Sequence, residues 1–175
     1  MSLLNGEISF KKLGSLPEFA ELEVLAREIW EEHYIPIIGE PQVRYMMKKF
    51  QTPEAMLKQS EEEKYQFYFV VQHGHRVGYL SYQMREEGLF LSKFYLLKKY
   101  RSRGISRMML SFLDERAESA GAEKIYLTVN KHNERALTAY RALGFYNDGS
   151  VVIDIGGGFV MDDFRMVKKL PAGFD

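Results

Sequence analysis

The sequence predicts an α/β domain built on a mixed sheet, and three observations lead to that reading. Residues 94–106 run from an apolar strand through a short basic turn into the start of a helix, and a second strand follows at 124–129. A strand, a helix and a strand joined this way form a right-handed parallel crossover. Two further pairs of strand-like runs, 65–72 with 76–85 and 145–155 with 159–169, are each separated by a tight glycine-bearing turn, the mark of antiparallel hairpins. Since 175 residues suit one domain with a sizeable core, residues 1–175 are expected to form a single domain.

Composition narrows the function classes. Lysine plus arginine number 24 and aspartate plus glutamate number 24, so charge favours neither a nucleic-acid binder nor a binder of other polyanions. The absence of cysteine excludes disulfides, thiolate metal sites and a cysteine nucleophile. Residues 1–16 hold no apolar run of signal-peptide type, and no stretch approaches the length of a membrane span. The expectation is a cytoplasmic protein with neither a membrane nor a nucleic acid as partner. No internal repeat and no low-complexity linker is evident.

Taken in order, residues 7–13 read as a first strand with Ile8 and Phe10 on one face. Pro17 suits a helix start, and Phe19, Leu22, Leu25, Ala26, Ile29 and Trp30 then form an apolar stripe. Pro36 and Gly39 break the pattern, and Pro41 opens a second helical piece with Val43, Tyr45, Met46, Met47 and Phe50. Residues 65–72 are aromatic and β-branched, as strands are. His73-Gly74-His75 is read as a hairpin turn, because two histidines without a third ligand do not make a metal site. Residues 76–85 return, Glu86-Glu87-Gly88 turns again, and 89–97 form the central strand.

After the basic turn, Ile105, Met108, Met109, Phe112, Leu113 and Ala117 recur at helical spacing, and Gly121 is a C-cap. Ile125, Leu127 and Val129 alternate along the next strand. A helix starts near Asn133 with Ala136, Leu137, Tyr140 and Leu143 on its inner face and Gly144 as its cap. Gly156-Gly157-Gly158 joins the last two strands; with no helix after it, the triplet reads as a hairpin turn rather than a phosphate loop.

The basic turn, Arg101-Ser102-Arg103-Gly104-Ile105-Ser106, carries chemistry. A helix that opens out of a turn leaves its first N–H groups without intrahelical partners. Together with the positive end of the helix dipole and two arginines, those groups suit a phosphate-bearing ligand. A side chain at position 104 would hold phosphates away from the backbone. The competing reading is an ordinary turn with solvated arginines.

The segment resembles the cofactor loop of the GCN5-related N-acetyltransferases, the GNAT superfamily, with Arg101, Gly104 and Ser106 at the three defining positions. Ser106 replaces the usual Gly or Ala. Downstream, Asn133, Ala136, Tyr140, Gly144 and Phe145 are similar to that family's second signature. The two signatures cover residues 89–145. The resemblance implies a splayed mixed sheet flanked by helices, acetyl-coenzyme A as co-substrate, no metal, and transfer of acetyl to a primary amine, on a small molecule, a polyamine or a peptide. It implies that residues 101–106 hold the pyrophosphate, that a backbone N–H near Leu96 stabilises the oxyanion, and that Asn133 lies against the cofactor. Asn133 also reads as a helix N-cap, and the two roles are compatible.

An alkyl amine of pKa about 10.4 attacks only when neutral, and the departing thiolate needs a proton. The resemblance gives Tyr140 that second role; the alternative is a core aromatic. The region around Glu31, Glu32, His33, Tyr34 and Tyr45 corresponds to the part of the family that overhangs the acceptor, which makes Glu31, Tyr34 and Tyr45 the acceptor candidates. No base is assigned: residues 89–97 hold no carboxylate, and Glu31, Glu32, His132 or a water chain stand as alternatives. Asp154, Asp162 and Asp163 either attract a cationic acceptor or are solvated turn and strand residues. A non-catalytic acyl-coenzyme A-binding regulatory or sensing module is the alternative function, a nucleotide-binding domain a third, and a homodimer is left open.

Overall fold

The structure, a computed structural model, describes residues 7–172. Part of the N-terminal reading above therefore falls on residues 1–6, outside the described ones. The elements are β1 (Ile8–Lys12), α1 (Leu16–Ile38), α2 (Glu40–Phe50), α3 (Pro53–Glu61), β2 (Gln66–Gln72), β3 (His75–Arg85), β4 (Gly88–Leu96), α4 (Ile105–Ser119), β5 (Lys124–Asn130), α5 (Glu134–Ala142), β6 (Tyr146–Gly156) and β7 (Phe159–Lys169). A single 3₁₀ turn, Lys98–Tyr100, links β4 to α4. The strands are hydrogen-bonded in the order β1-β2-β3-β4-β5-β7-β6, a mixed sheet in which β4 and β5 are parallel. The chain divides into two compact units. One runs to Tyr82 and includes Lys93–Met109; the other is Gln83–Ser92 with everything from Leu110 onward.

In the first unit β1 pairs antiparallel with β2, from Ile8 opposite Gln72 to Lys12 opposite Tyr68. The pairing of β2 with β3 slips at a bulge between Val70 and Val71. The α1 stripe of Phe19, Leu22, Leu25, Ala26, Ile29 and Trp30 is buried, as its spacing predicts. Two features correct the sequence reading. Pro36 does not end α1, which continues to Ile38. A proline so near the C-terminus removes one N–H and distorts little beyond it, and Gly39, at φ +85°, is the real stop. The second is α3, which was not expected. The hydroxyl of Thr52 caps it by accepting from the Ala55 N–H at 3.1 Å, and Pro53 opens it. Only Met56 of this helix is buried, so no apolar stripe announced it.

In the second unit the parallel ladder joins Leu89 to Ile125 and Phe90 to Tyr126. On its other edge β5 pairs with β7, from Lys124 opposite Lys169 to Asn130 opposite Asp163. The last strand of the chain thus lies between β5 and β6. The Ile125, Leu127, Val129 and Met166 side chains are buried on the face that also carries Lys168, whose Nζ is 2.8 Å from Asp114 Oδ1 of α4.

Candidate functional site

In the first unit, the end of β4 and the turn that follows gather most of the residues singled out above. The Leu97 N–H donates to the Val77 carbonyl at 2.9 Å, which ties the strand end to β3. Gly78 makes this approach possible: a Cβ there would lie 2.2 Å from the Tyr95 carbonyl oxygen. The Tyr100 and Arg101 N–H groups close the 3₁₀ turn onto Leu97 and Lys98. Arg101 is not simply solvated. It is half-buried, and its Nε donates to the Leu96 carbonyl oxygen at 3.1 Å.

Beyond it Ser102 adopts φ +61° and Gly104 φ +80°. Positive φ at 102 and 104, with none at 103, is the alternation of hand from which an anion-binding nest is built. Ser102, Arg103 and Gly104 are exposed, and a Cβ on Gly104 would meet nothing within 4 Å. The space over the backbone is therefore open. The Arg103 guanidinium lies 5.8 Å from the Tyr100 ring centroid. Ile105 is 2% exposed and anchors the first turn of α4 in the core, so it offers only backbone, while Ser106 is half-buried. No acidic residue occupies that first turn, so no side chain there opposes an anion at the helix N-terminus.

The acceptor candidates lie on α1 and α2. The hydroxyl of Tyr34 is 3.1 Å from that of Tyr95, and its ring centroid is 4.6 Å from that of Trp30. Glu31 is exposed and lines a cavity of about 230 Å³ with Arg27, Arg44 and Met47. Tyr45 accepts from Lys49 Nζ at 3.2 Å. Sequence reading missed the partners of Tyr34. Trp30 Nε1 donates to the Tyr79 hydroxyl at 2.9 Å, and that hydroxyl donates to Gln51 Oε1 at 3.5 Å. Burial pushes the Tyr79 phenol well above its usual range, against the Trp30 hydrogen bond. The only sequence signal for Tyr79 and Tyr95 was their placement on two strands, and pairing across strands is not legible locally. On β4, which has no carboxylate, burial lowers the Lys93 ammonium to about 8.

The second unit holds the other signature. Asn133 is 2% exposed, and its Oδ1 accepts from the Ala136 N–H at 3.2 Å, so the N-cap role is realised. Leu137 and Leu143 of the α5 inner face are buried and Tyr140 is half-buried, its ring edge-on to Phe145 at 5.5 Å. His132 is exposed, with its N–H bonded to Asn130 Oδ1 at 2.8 Å. Of the two readings offered for Asp163, the solvated one does not hold: the residue is 1% exposed. Among the described residues no group of three or more His, Cys, Asp or Glu side chains is placed to hold a metal, and no helix is long and apolar enough to cross a membrane.

Comparison with known proteins adds the following. The model of the Acetyltransferase (GNAT) family matches residues 22–145. An uncharacterized N-acetyltransferase of Bacillus subtilis, YdgE, is 39% identical over 56 residues, 32% of this chain and 36% of that protein. An uncharacterized N-acetyltransferase of Lactobacillus delbrueckii subsp. lactis is 27% identical over 112 residues, 59% of this chain and 64% of that one. The chain thus spans less than two thirds of either relative. Among solved structures, the PaiA N-acetyltransferase of Thermoplasma acidophilum, in complex with coenzyme A, superposes with a TM-score of 0.77 at 21% identity. The match covers 93% of this chain and 99% of that one, a likeness of fold.

Proposed function

The chain belongs to the acetyltransferase (GNAT) family, and from that premise we propose that it moves an acetyl group from acetyl-coenzyme A to a primary amine. The observation that carries this reading is the exposed turn with positive φ at Ser102 and Gly104 where α4 begins, with open space above Gly104 and no acidic residue in the first helical turn. Backbone N–H groups in that arrangement suit a pyrophosphate. When bound, acetyl-coenzyme A supplies the activated acyl group. Everything else falls to the chain.

In this reading the backbone from Ser102 to Ser106 binds phosphate, with charge added by Arg103. Arg101 fixes the end of β4 through the Leu96 carbonyl, and so orients the Leu96 backbone, which provides the N–H toward a developing oxyanion. Asn133 holds the start of α5 and thereby sets the position of Tyr140. The Tyr140 hydroxyl gives its proton to the departing thiolate. A phenol of pKa about 10 is a weak donor to such a base, so proximity has to supply part of the effect. On the acceptor side, Tyr34 with Tyr95 offers hydroxyls backed by the Trp30 ring, a surface suited to an alkyl ammonium.

The deciding experiment is thiol release from acetyl-coenzyme A over a panel of primary alkyl amines, diamines and peptides with free N-termini. Turnover of any of these supports the transferase. Tight binding of acetyl-coenzyme A with no thiol release from the whole panel replaces it with a binding module.

A further inference from the structure

Trp30, Tyr79 and Gln51 come from three elements of the first unit and are joined end to end. Trp30 lies on α1, Tyr79 on β3 and Gln51 at the C-cap of α2. The indole N–H donates to the Tyr79 hydroxyl at 2.9 Å, and that hydroxyl donates to Gln51 Oε1 at 3.5 Å. Chemistry fixes the direction of this chain. An indole N–H can only donate, so it takes a lone pair of the phenol, and the phenol keeps its own proton to give. Burial holds that phenol in its protonated form. The chain ends on the Gln51 carbonyl.

Such a chain is costly in a core. All three side chains are buried, and Gln51 Nε2 has no hydrogen-bond partner among the described residues. An unpaired buried N–H is destabilising, and apolar side chains of the same shape would fill the space without that cost. Stability alone therefore does not account for the chain. Its neighbours suggest what does. The Trp30 ring centroid is 4.6 Å from that of Tyr34 and 5.8 Å from that of Tyr95, and the Tyr79 ring is 5.3 Å from Tyr95. The Tyr34 and Tyr95 hydroxyls lie 3.1 Å apart. Both of these tyrosines are half-buried, so this end of the cluster reaches the surface. Rings in van der Waals contact alone can tilt and slide, whereas a hydrogen bond at the indole N–H holds Trp30 in its plane.

We propose that Gln51 and Tyr79 are positioning residues for the acceptor amine: they hold the Trp30 ring, and with it the Tyr34–Tyr95 hydroxyl pair, in the geometry that receives the ammonium. This rests on the transferase reading above and adds to it what orders the acceptor surface. A ring face attracts a cation only at short range and in the right orientation. An amine that meets an ordered wall loses less on binding than one that has to order it. Gln51 acts here through Tyr79 and Trp30, without touching the amine.

The chain has one tryptophan, so protein labelled with ¹⁵N-tryptophan shows one indole N–H resonance, that of Trp30. The test follows this resonance in the full chain during titration with propylamine and with 1,4-diaminobutane. It compares the parent, Tyr79→Phe, Gln51→Met and the double variant, each checked for folding by circular dichroism. In the parent the amine is expected to shift the resonance and so to give a dissociation constant. Tyr79→Phe moves the resonance upfield before any amine is added, because the indole loses its acceptor. It weakens amine binding by about two- to tenfold, the worth of one buried hydrogen bond. Gln51→Met is expected to move the resonance and weaken the amine similarly, although this side chain does not bond to the indole. The double variant is no weaker than either single one, because the three groups act as one chain. In turnover with the best amine of the panel, the loss falls on KM and leaves kcat near the parent's. A parent resonance that ignores amine, single variants with the parent's amine affinity, additive losses, or a loss confined to kcat each overturn the positioning role and leave the transferase standing. If the parent releases no thiol with any amine, the transferase reading is what fails, and the titration alone then decides whether Gln51 and Tyr79 order an ammonium site.

Discussion

The side chain of Arg101 folds back onto the strand it follows: its Nε donates to the Leu96 carbonyl oxygen at 3.1 Å. One of the two arginines of the basic turn is thus partly a strut, whereas Arg103 is exposed. Their substitutions should separate. Arg103→Ala is expected to weaken coenzyme A by about tenfold, the worth of one charge-assisted hydrogen bond, and to leave a dephosphorylated pantetheine fragment unaffected. Arg101→Ala is expected to weaken both ligands, because the end of β4 loosens as well. Calorimetry with the two ligands checks this; equal losses from Arg103→Ala would reject phosphate recognition at that residue.

Gly104→Val should abolish coenzyme A binding in a folded protein. At φ +80° a branched residue is strained, so a stability loss of about 1–2 kcal/mol is expected beside the binding defect. A Cβ at position 104 meets no protein atom within 4 Å, so a loss of affinity beyond the backbone strain reports obstruction of the ligand. Unchanged affinity in a folded variant means that phosphate binds elsewhere.

Gly78→Ala tests the strand end independently of the turn. A methyl group 2.2 Å from the Tyr95 carbonyl oxygen cannot be accommodated without moving β3 from β4. Overpacking of this kind costs about 1–3 kcal/mol, measured by thermal or denaturant melting. A melt identical to the parent's would show that the strands adjust freely.

Tyr140→Phe keeps the ring against Phe145 and removes only the hydroxyl. Turnover should fall by about 10²–10⁴-fold, the range of general acid–base contributions, with little change in stability or in acetyl-coenzyme A affinity. Parent-like turnover would make Tyr140 a packing residue.

Asp163 also predicts a pH-dependent stability. Its folded pKa of about 6 lies above the usual 3.8, so the folded protein holds this proton more tightly than the unfolded chain. The destabilisation is complete above the folded value and is relieved as pH falls from about 6 toward 4. Asp163→Asn should therefore stabilise the protein by about 1–3 kcal/mol at pH 8, and the advantage should vanish near pH 4. Denaturant melts of both proteins across that range provide the check. A constant difference between them would mean that Asp163 does not titrate as described.

The sequence by itself determined the order of most elements, the turn from β4 into α4 and the capped start of α5. These are legible because they are written locally: apolar spacing, a glycine after a helix, an asparagine three residues before the N–H it caps. What only the tertiary structure decided is non-local. Pro36 stays inside α1 because a helix end tolerates it, and α3 has too narrow a buried face for any period to mark it. The insertion of β7 between β5 and β6 brings Asp163 opposite Asn130, and only that pairing makes it a buried carboxylate. Tyr79 and Gln51 are likewise strangers in sequence until β3 folds against the helices. Desolvation and hydrogen bonding depend on which neighbours surround a group, and for these residues the neighbours come from distant parts of the chain.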